Sequence, residues 1–155
     1  MNAEERESLI DRYEQGHAEV LDALAGIDED GWSLREAPGE WSVREIVHHL
    51  GDSEMAAAFR IRLILAEDSP IIHGYAQEAF ARHLHYDLPV EPSLAAFAAA
   101  RASTAPLLRS LSGNEWQRAG THTEFGPMSA ETWLSWYGVH AHDHADQIRR
   151  ARAAR

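Results

Sequence analysis

The sequence predicts an all-α fold, a four-helix bundle. Four segments repeat apolar residues at three- and four-residue steps, and no run of useful length alternates with the two-residue period of a strand. The stretches between them collect Gly, Pro and Ser. Long amphipathic helices joined by loops bury their apolar stripes by packing side by side. The 155 residues read as a single domain, 1–155, long enough to bury roughly two thirds of the unfolded surface.

The first helix is expected over Ala3 to Leu24, where Leu9, Ile10, Tyr13, Val20, Leu21 and Leu24 keep the helical step and Gly26 ends it. Asp28 to Glu40, with Gly31, Pro38 and Gly39, reads as a loop. Ser42 then opens the second helix with a capping box closed by Glu45. That helix runs through Ile46, Leu50, Ala57, Ile61 and Leu65 and stops near Asp68-Ser69-Pro70. A long connection from Ile71 to Pro92 follows, with a short helix around Gln77 to Leu84; such length suggests a functional rim. The third helix begins at Pro92-Ser93 and continues to Leu111, and Pro106 inside it predicts a kink or a break. Ser112 to Pro127 reads as irregular with room for a short extended piece. Ser129 caps the fourth helix, which reaches about Arg150, its basic end facing the negative pole of the helix dipole.

Composition excludes several functions. The chain has no cysteine, so a disulfide framework, a thiolate metal cluster and a cysteine nucleophile are all ruled out. Twenty-five acids against fourteen bases give a net charge of −11, the wrong sign for a nucleic-acid partner. No apolar run approaches the ~18 residues of a membrane span. The opening MNAEERESLIDRYEQ lacks the order of a signal peptide, so the expected location is cytoplasmic.

Ten histidines are the unusual feature, and five of them fall in two short segments. In the last helix, Trp133, Leu134, Tyr137, Ala141 and Ile148 define the core face. At about 100° per residue, His144 lies about 20° from Tyr137 and His140 about 60°, whereas His142 lies about 140° away and should point to water. His140 and His144 therefore converge inward one turn apart, a spacing at which two imidazoles can chelate one ion. On the second helix, His49 sits about 110° from the apolar centre and His48 about 150°. His49, nearer an edge where another helix can meet it, is the candidate third ligand. An isolated helical histidine is usually a surface or hydrogen-bonded core residue. Three that converge are a different matter, because three imidazoles leave a coordination position open for a water or a thiol. Imidazole suits Zn, Ni, Cu and Fe alike.

Other chemistries lack support. Glu45-x-x-His48 has the spacing used in di-iron bundles, but Glu45 serves the cap. Neither a His-Glu-x-x-His motif nor a Gly-x-Ser-x-Gly elbow is present.

Trp41-Ser-Val-Arg-Glu-Ile-Val-His-His-Leu-Gly-Asp-Ser-Glu54, with His140-x-x-x-His144-x-x-Gln147-Ile148 near the end, resembles the DinB superfamily and within it the YfiT-like branch. The resemblance spans most of the chain and implies a bundle with up-down-down-up connection, often dimeric, holding one divalent metal ion, zinc or nickel. Carried onto these residues, the implied metal ligands are His49, His140 and His144. The implied activities are metal-dependent hydrolysis and thiol S-transfer, with a small-molecule substrate such as a low-molecular-weight thiol and a homodimeric assembly. His73-Gly74 and Ala76-Gln77 depart from that branch, standing where Arg-Pro and an acidic residue are expected.

The working expectation is a metal-dependent enzyme that activates a thiol or water; the alternative is a non-catalytic metal or small-ligand binding protein. No catalytic base is identified. Glu54 reads first as an exposed helix carboxylate, and Trp133, Trp136 and Tyr137 as core or dimer-contact aromatics. His17, His83, His85 and His122 read as surface or loop residues, Asp143 and Asp146 as solvated, and the acid-rich first helix as a solvated face. His73 and Tyr75 are candidates to line the mouth of the metal site.

Overall fold

In a computed structural model, which describes residues 1–154, five helices form the protein. They are α1 (Ala3–Leu24), α2 (Val43–Ala66), the short α3 (Gln77–His83), α4 (Glu91–Ser110) and α5 (Ala130–Ala153). Local chemistry sets their starts. Asn2 accepts a hydrogen bond from the Glu5 amide and donates its own amide to the Glu5 carboxylate. Ser42 and Glu45 repeat this capping box at α2, and Ser129 Oγ accepts from the Thr132 amide at α5.

The bundle closes in the order α1, α5, α2, α4, so the consecutive helices α1 and α2 lie across the diagonal. Its all-α, four-helix character follows the expectation, with α3 carried in the long connection between α2 and α4. Pro106 does not break α4. Its ring and Ala102, whose carbonyl loses a donor, both lie on the exposed face, where water can satisfy that oxygen.

A small sheet is the feature that the helical period did not show. It comprises β1 (Ile71–Ile72), β2 (Ala119–His122) and β3 (Gly126–Ser129); β1 and β2 run parallel, and β2 and β3 form a hairpin. Gly126, with φ of 76°, turns the hairpin where a side chain would be strained. Ile72 and Met128 anchor the sheet by burying against the bundle.

The core falls into two apolar clusters. One gathers Ile10, Tyr13, Ile61, Ile64, Trp133 and Leu134, and the other Val20, Val47, Leu50, Phe97, Ala145 and Ile148. A polar layer crosses the bundle between them. There the Arg101 guanidinium meets the Glu54 carboxylate at 2.9 Å, with side-chain exposures of 3% and 0%. Glu54 also accepts from the Tyr13 hydroxyl, and Arg101 donates to the carbonyls of Tyr13 and Tyr137. Glu54 is therefore a fully buried ion-pair partner and not an exposed helix carboxylate. Gly16 makes room for the layer, since a Cβ there would lie 2.7 Å from that of Ala141 and would also strike Arg101.

The acidic face of α1 is exposed but engaged. Arg109 of α4 spreads across Glu7, Asp11 and Glu14, and Arg149 of α5 reaches Glu19 and Asp22. Exposed pairs of this kind add little stability each. Among the described residues, no helix is long and apolar enough to cross a membrane.

Candidate metal centre

His49, His140 and His144 meet beside the polar layer, where α2 packs against α5. One ring nitrogen from each lies within 4.8 Å of the others. Their ring centroids are 5.5 Å apart for His49 and His140, 4.9 Å for His49 and His144, and 4.6 Å for His140 and His144. The one-turn spacing of the α5 pair produces the last distance. His49 comes to them because α5 abuts the edge of α2 that carries it.

Three further contacts set the rings. Trp41, just before α2, lies 4.6 Å from His49 by ring centroids, and Tyr137 lies 5.7 Å from His140. Nδ1 of His144 lies 2.8 Å from Gln147 Oε1. The amide oxygen can only accept, so the proton of a neutral His144 sits on Nδ1 and Nε2 keeps its lone pair.

Burial holds all three imidazoles neutral. Desolvation, then the proximity of His144, pushes His49 down to about 3. Desolvation and its two histidine neighbours push His140 well below the usual range. His144 also falls by desolvation, partly offset by the bond to Gln147. Neutral imidazoles offer lone pairs without a proton to displace, which is the state a metal ion requires. Nδ1 of His140 is buried with no hydrogen-bonding partner, a costly condition for an ordinary core histidine. The donor set and this orphaned nitrogen fit a divalent cation.

A cavity of about 160 Å³ opens onto His140. Ser53 and Arg60 of α2 form one wall, and Trp136 and Tyr137 of α5 another. Gly74, Tyr75 and Gln77 of the connection close over it from one side, with His122, Glu124 and Phe125 of the hairpin on the other. Of the two residues proposed for the mouth, Tyr75 lines the cavity. His73 contributes its backbone carbonyl, which accepts from Arg60.

Several histidines lie where the sequence did not place them. His122 is buried, at 3% exposure, and faces the cavity from β2. Its position was hidden because the hairpin, not a helical period, carries it inward. His48 is buried as well: its ring nitrogens pair with Ser93 Oγ at 2.8 Å and the Leu88 carbonyl at 3.0 Å, and it stacks on Tyr86. It anchors the connection after α3 and takes no part in the cluster. His142 is half-buried and bonds the Arg12 carbonyl at 2.8 Å, so α1 covers a direction expected to face water. His17 is half-buried against Phe97. Trp133 lies in the core, donating to the Ala57 carbonyl at 3.0 Å, whereas Trp136 stays 40% exposed beside Phe125.

Comparisons with known proteins bear on the family and the fold. The sequence matches the DinB superfamily over residues 12–148. A protein of Oceanobacillus iheyensis, described as "Putative metal-dependent hydrolase", is 36% identical over 110 residues, covering 71% of this chain and 64% of that protein. One of Halalkalibacterium halodurans with the same description is 29% identical over 111 residues, covering 72% and 65%. The chain thus spans slightly less than two thirds of the length of these relatives. A Bacillus cereus protein so described is 28% identical over 142 residues, covering 92% and 82%. Among solved structures, YfiT from Bacillus subtilis superposes with a TM-score of 0.93 at 26% identity, covering 99% of this chain and 89% of that one. YfiT is described as a probable metal-dependent hydrolase with an unusual four-helix bundle topology.

Proposed function

The chain belongs to the DinB superfamily, and from that premise we propose that it is a metal-dependent enzyme whose His49, His140 and His144 hold one divalent ion, zinc or nickel. The observation that carries this reading is the convergence of three imidazoles, one of which, His140, has a buried Nδ1 with no hydrogen-bonding partner among the described residues. An ion held by three imidazoles supplies Lewis acidity at an open position, lowering the pKa of a water or a thiol.

The protein's own residues do the rest. Gln147 keeps the His144 proton on Nδ1 and so presents Nε2. Trp41 and Tyr137 pack against His49 and His140 and exclude water from that side of the cluster. The cavity admits a small molecule to His140 between α2, α5, the connection and the hairpin. Glu54 is not available as a base, because its oxygens are taken by Tyr13 and Arg101. The descriptions of the relatives support hydrolysis, and the wider resemblance supports transfer of a low-molecular-weight thiol. A homodimer and a cytoplasmic setting belong to the same proposal.

Elemental analysis of protein purified without an affinity tag tests the reading. The wild-type chain should carry about one equivalent of zinc or nickel, and His49→Ala and His144→Ala should carry almost none. Metal retained in both variants overturns the ligand assignment. The metal-loaded protein should then accelerate a reaction in a panel of ester, amide and thiol-transfer substrates. Saturable metal binding with no acceleration would make the chain a binding protein.

A further inference from the structure

The cavity beside His140 contains two hydrogen-bond donors that the metal reading leaves unused. Arg60 of α2 is half-buried, and its guanidinium lies 5.4 Å from the Tyr75 ring centroid. It donates to the Tyr137 hydroxyl at 3.2 Å and to the His73 carbonyl. Both acceptors are neutral, and no ion pair to Arg60 occurs among the described residues, in a chain with 25 carboxylates. Arg60 thus stands without an ion pair at the wall of a cavity that it shares with the Glu124 carboxylate.

His122 supplies the second donor. The Glu124 amide donates to Nδ1 of His122 at 3.1 Å, so that nitrogen holds a lone pair and a neutral ring carries its proton on Nε2. Desolvation and the charge of Arg60 favour the neutral ring over the weaker opposing pull of Glu124. The residue is almost wholly buried, yet it lines the cavity, its ring centroid 4.9 Å from that of Phe125. The hairpin thereby fixes a ring with a known tautomer in the same space as the Arg60 charge.

We infer that Arg60 and the Nε2–H of His122 form a receptor for a small oxyanion, a carboxylate or phosphate group of the molecule that enters this cavity. A guanidinium offers paired, charge-assisted donors to such an oxygen group, and a neutral imidazole adds a directional one. The receptor is specific to the cavity, since a net charge of −11 gives the protein no general attraction for anions. Glu124 is exposed at the rim, its carboxylate filling the space where a Cβ on Gly74 would stand. It opposes the anion and makes the charge in the cavity tunable. Calling the bound group part of a substrate rests on the proposed enzyme reading; the receptor itself does not need the metal.

The test is a titration of the full chain, zinc-loaded and again after chelation, with acetate, inorganic phosphate and, as neutral control, acetamide. Side-chain ¹H–¹⁵N shifts of His122 and Trp136 indole fluorescence report binding. Acetate or phosphate should move His122 saturably in both forms, with its Nε2–H tautomer retained, and acetamide should not; the responding anion separates a planar from a tetrahedral group. Arg60→Met and His122→Phe should each weaken binding about tenfold or more while leaving zinc content unchanged. Arg60→Lys, which keeps the charge, should retain part of the affinity and guards against a folding defect in Arg60→Met. Glu124→Gln should tighten it. Binding that disappears on chelation, or survives both substitutions, or is matched by acetamide overturns the receptor. Zinc retained in the histidine variants at 49 and 144 while anion binding still depends on Arg60 and His122 overturns the metal reading alone. Zinc lost from those variants with no such anion binding overturns the receptor alone.

Discussion

Gln147 Oε1 stands 2.8 Å from Nδ1 of His144, one turn further along α5 on the same helix face. The contact ties the tautomer of a proposed ligand to a residue that does not itself touch the ion. Support of this kind typically carries about 10- to 100-fold in metal affinity. Gln147→Leu should therefore weaken zinc binding by about that factor, measured by competition with a chromophoric chelator, while the far-UV spectrum is unchanged. Unaltered affinity would show that His144 is oriented by packing alone.

The pH at which metal is lost should depart from that of free imidazole. Unperturbed histidine would release metal below about 6.5. Here burial lowers all three, His49 to about 3, so protons compete only at markedly lower pH. Metal content measured from pH 7 downward should hold through 6.5 and fall well below it.

The same shifts fix the sign for the metal-free protein. Between the unfolded value near 6.5 and the lowered folded values, the unfolded chain binds protons that the folded one refuses. Stability is thus present above that window and is lost as pH falls through it. Urea midpoints of chelated protein should decline on that limb, and His49→Ala, which removes the imidazole that burial pushes down to about 3, should flatten the decline.

The buried pair across the middle of the bundle makes a separate prediction. Glu54→Gln or Arg101→Met leaves one charge without its partner at 0% or 3% exposure and should cost about 3–5 kcal/mol in urea unfolding. Replacing both by apolar residues should cost less than the two single changes added together. A strictly additive double variant would mean that the two residues act independently.

What could be read from the sequence, and what could not, follows from the range of the forces involved. Helix starts are local: Ser42 and Glu45 are three residues apart, and their reciprocal bonds are written in that spacing. The α5 pair is equally local, since four residues place His140 and His144 on one face. Asn2 and Glu5 carry the same capping signal at α1, where it went unread. Glu54 also had a signal, four residues after buried Leu50 and three before buried Ala57, which puts it on the core stripe. Only its partner, Arg101 on another helix, was invisible. His122 had no local mark. Ala-Gly-Thr-His lacks the β-branched density of a strand, and its burial arises from pairing with Gly126–Ser129 and with Ile71–Ile72.

Adjacent His48 and His49 offer the sharpest separation of structure from chemistry. Both are buried on α2, at 7% and 2% exposure, but they turn to different neighbours. His48 spends both ring nitrogens on Ser93 and Leu88 and covers Tyr86, so it ties the connection and the start of α4 to α2. His49 faces His140 and His144. His48→Ala removes two hydrogen bonds and the ring's stacking on Tyr86 and should cost about 1–3 kcal/mol, with zinc content unchanged. His49→Ala should show the opposite pattern, losing the ion. In the metal-free protein its effect on stability at neutral pH should be smaller than that of His48→Ala, because no protein hydrogen bond is broken. Melting temperature and elemental analysis on the two variants, side by side, check both halves. Loss of zinc from His48→Ala with the fold intact would move the ligand assignment by one residue.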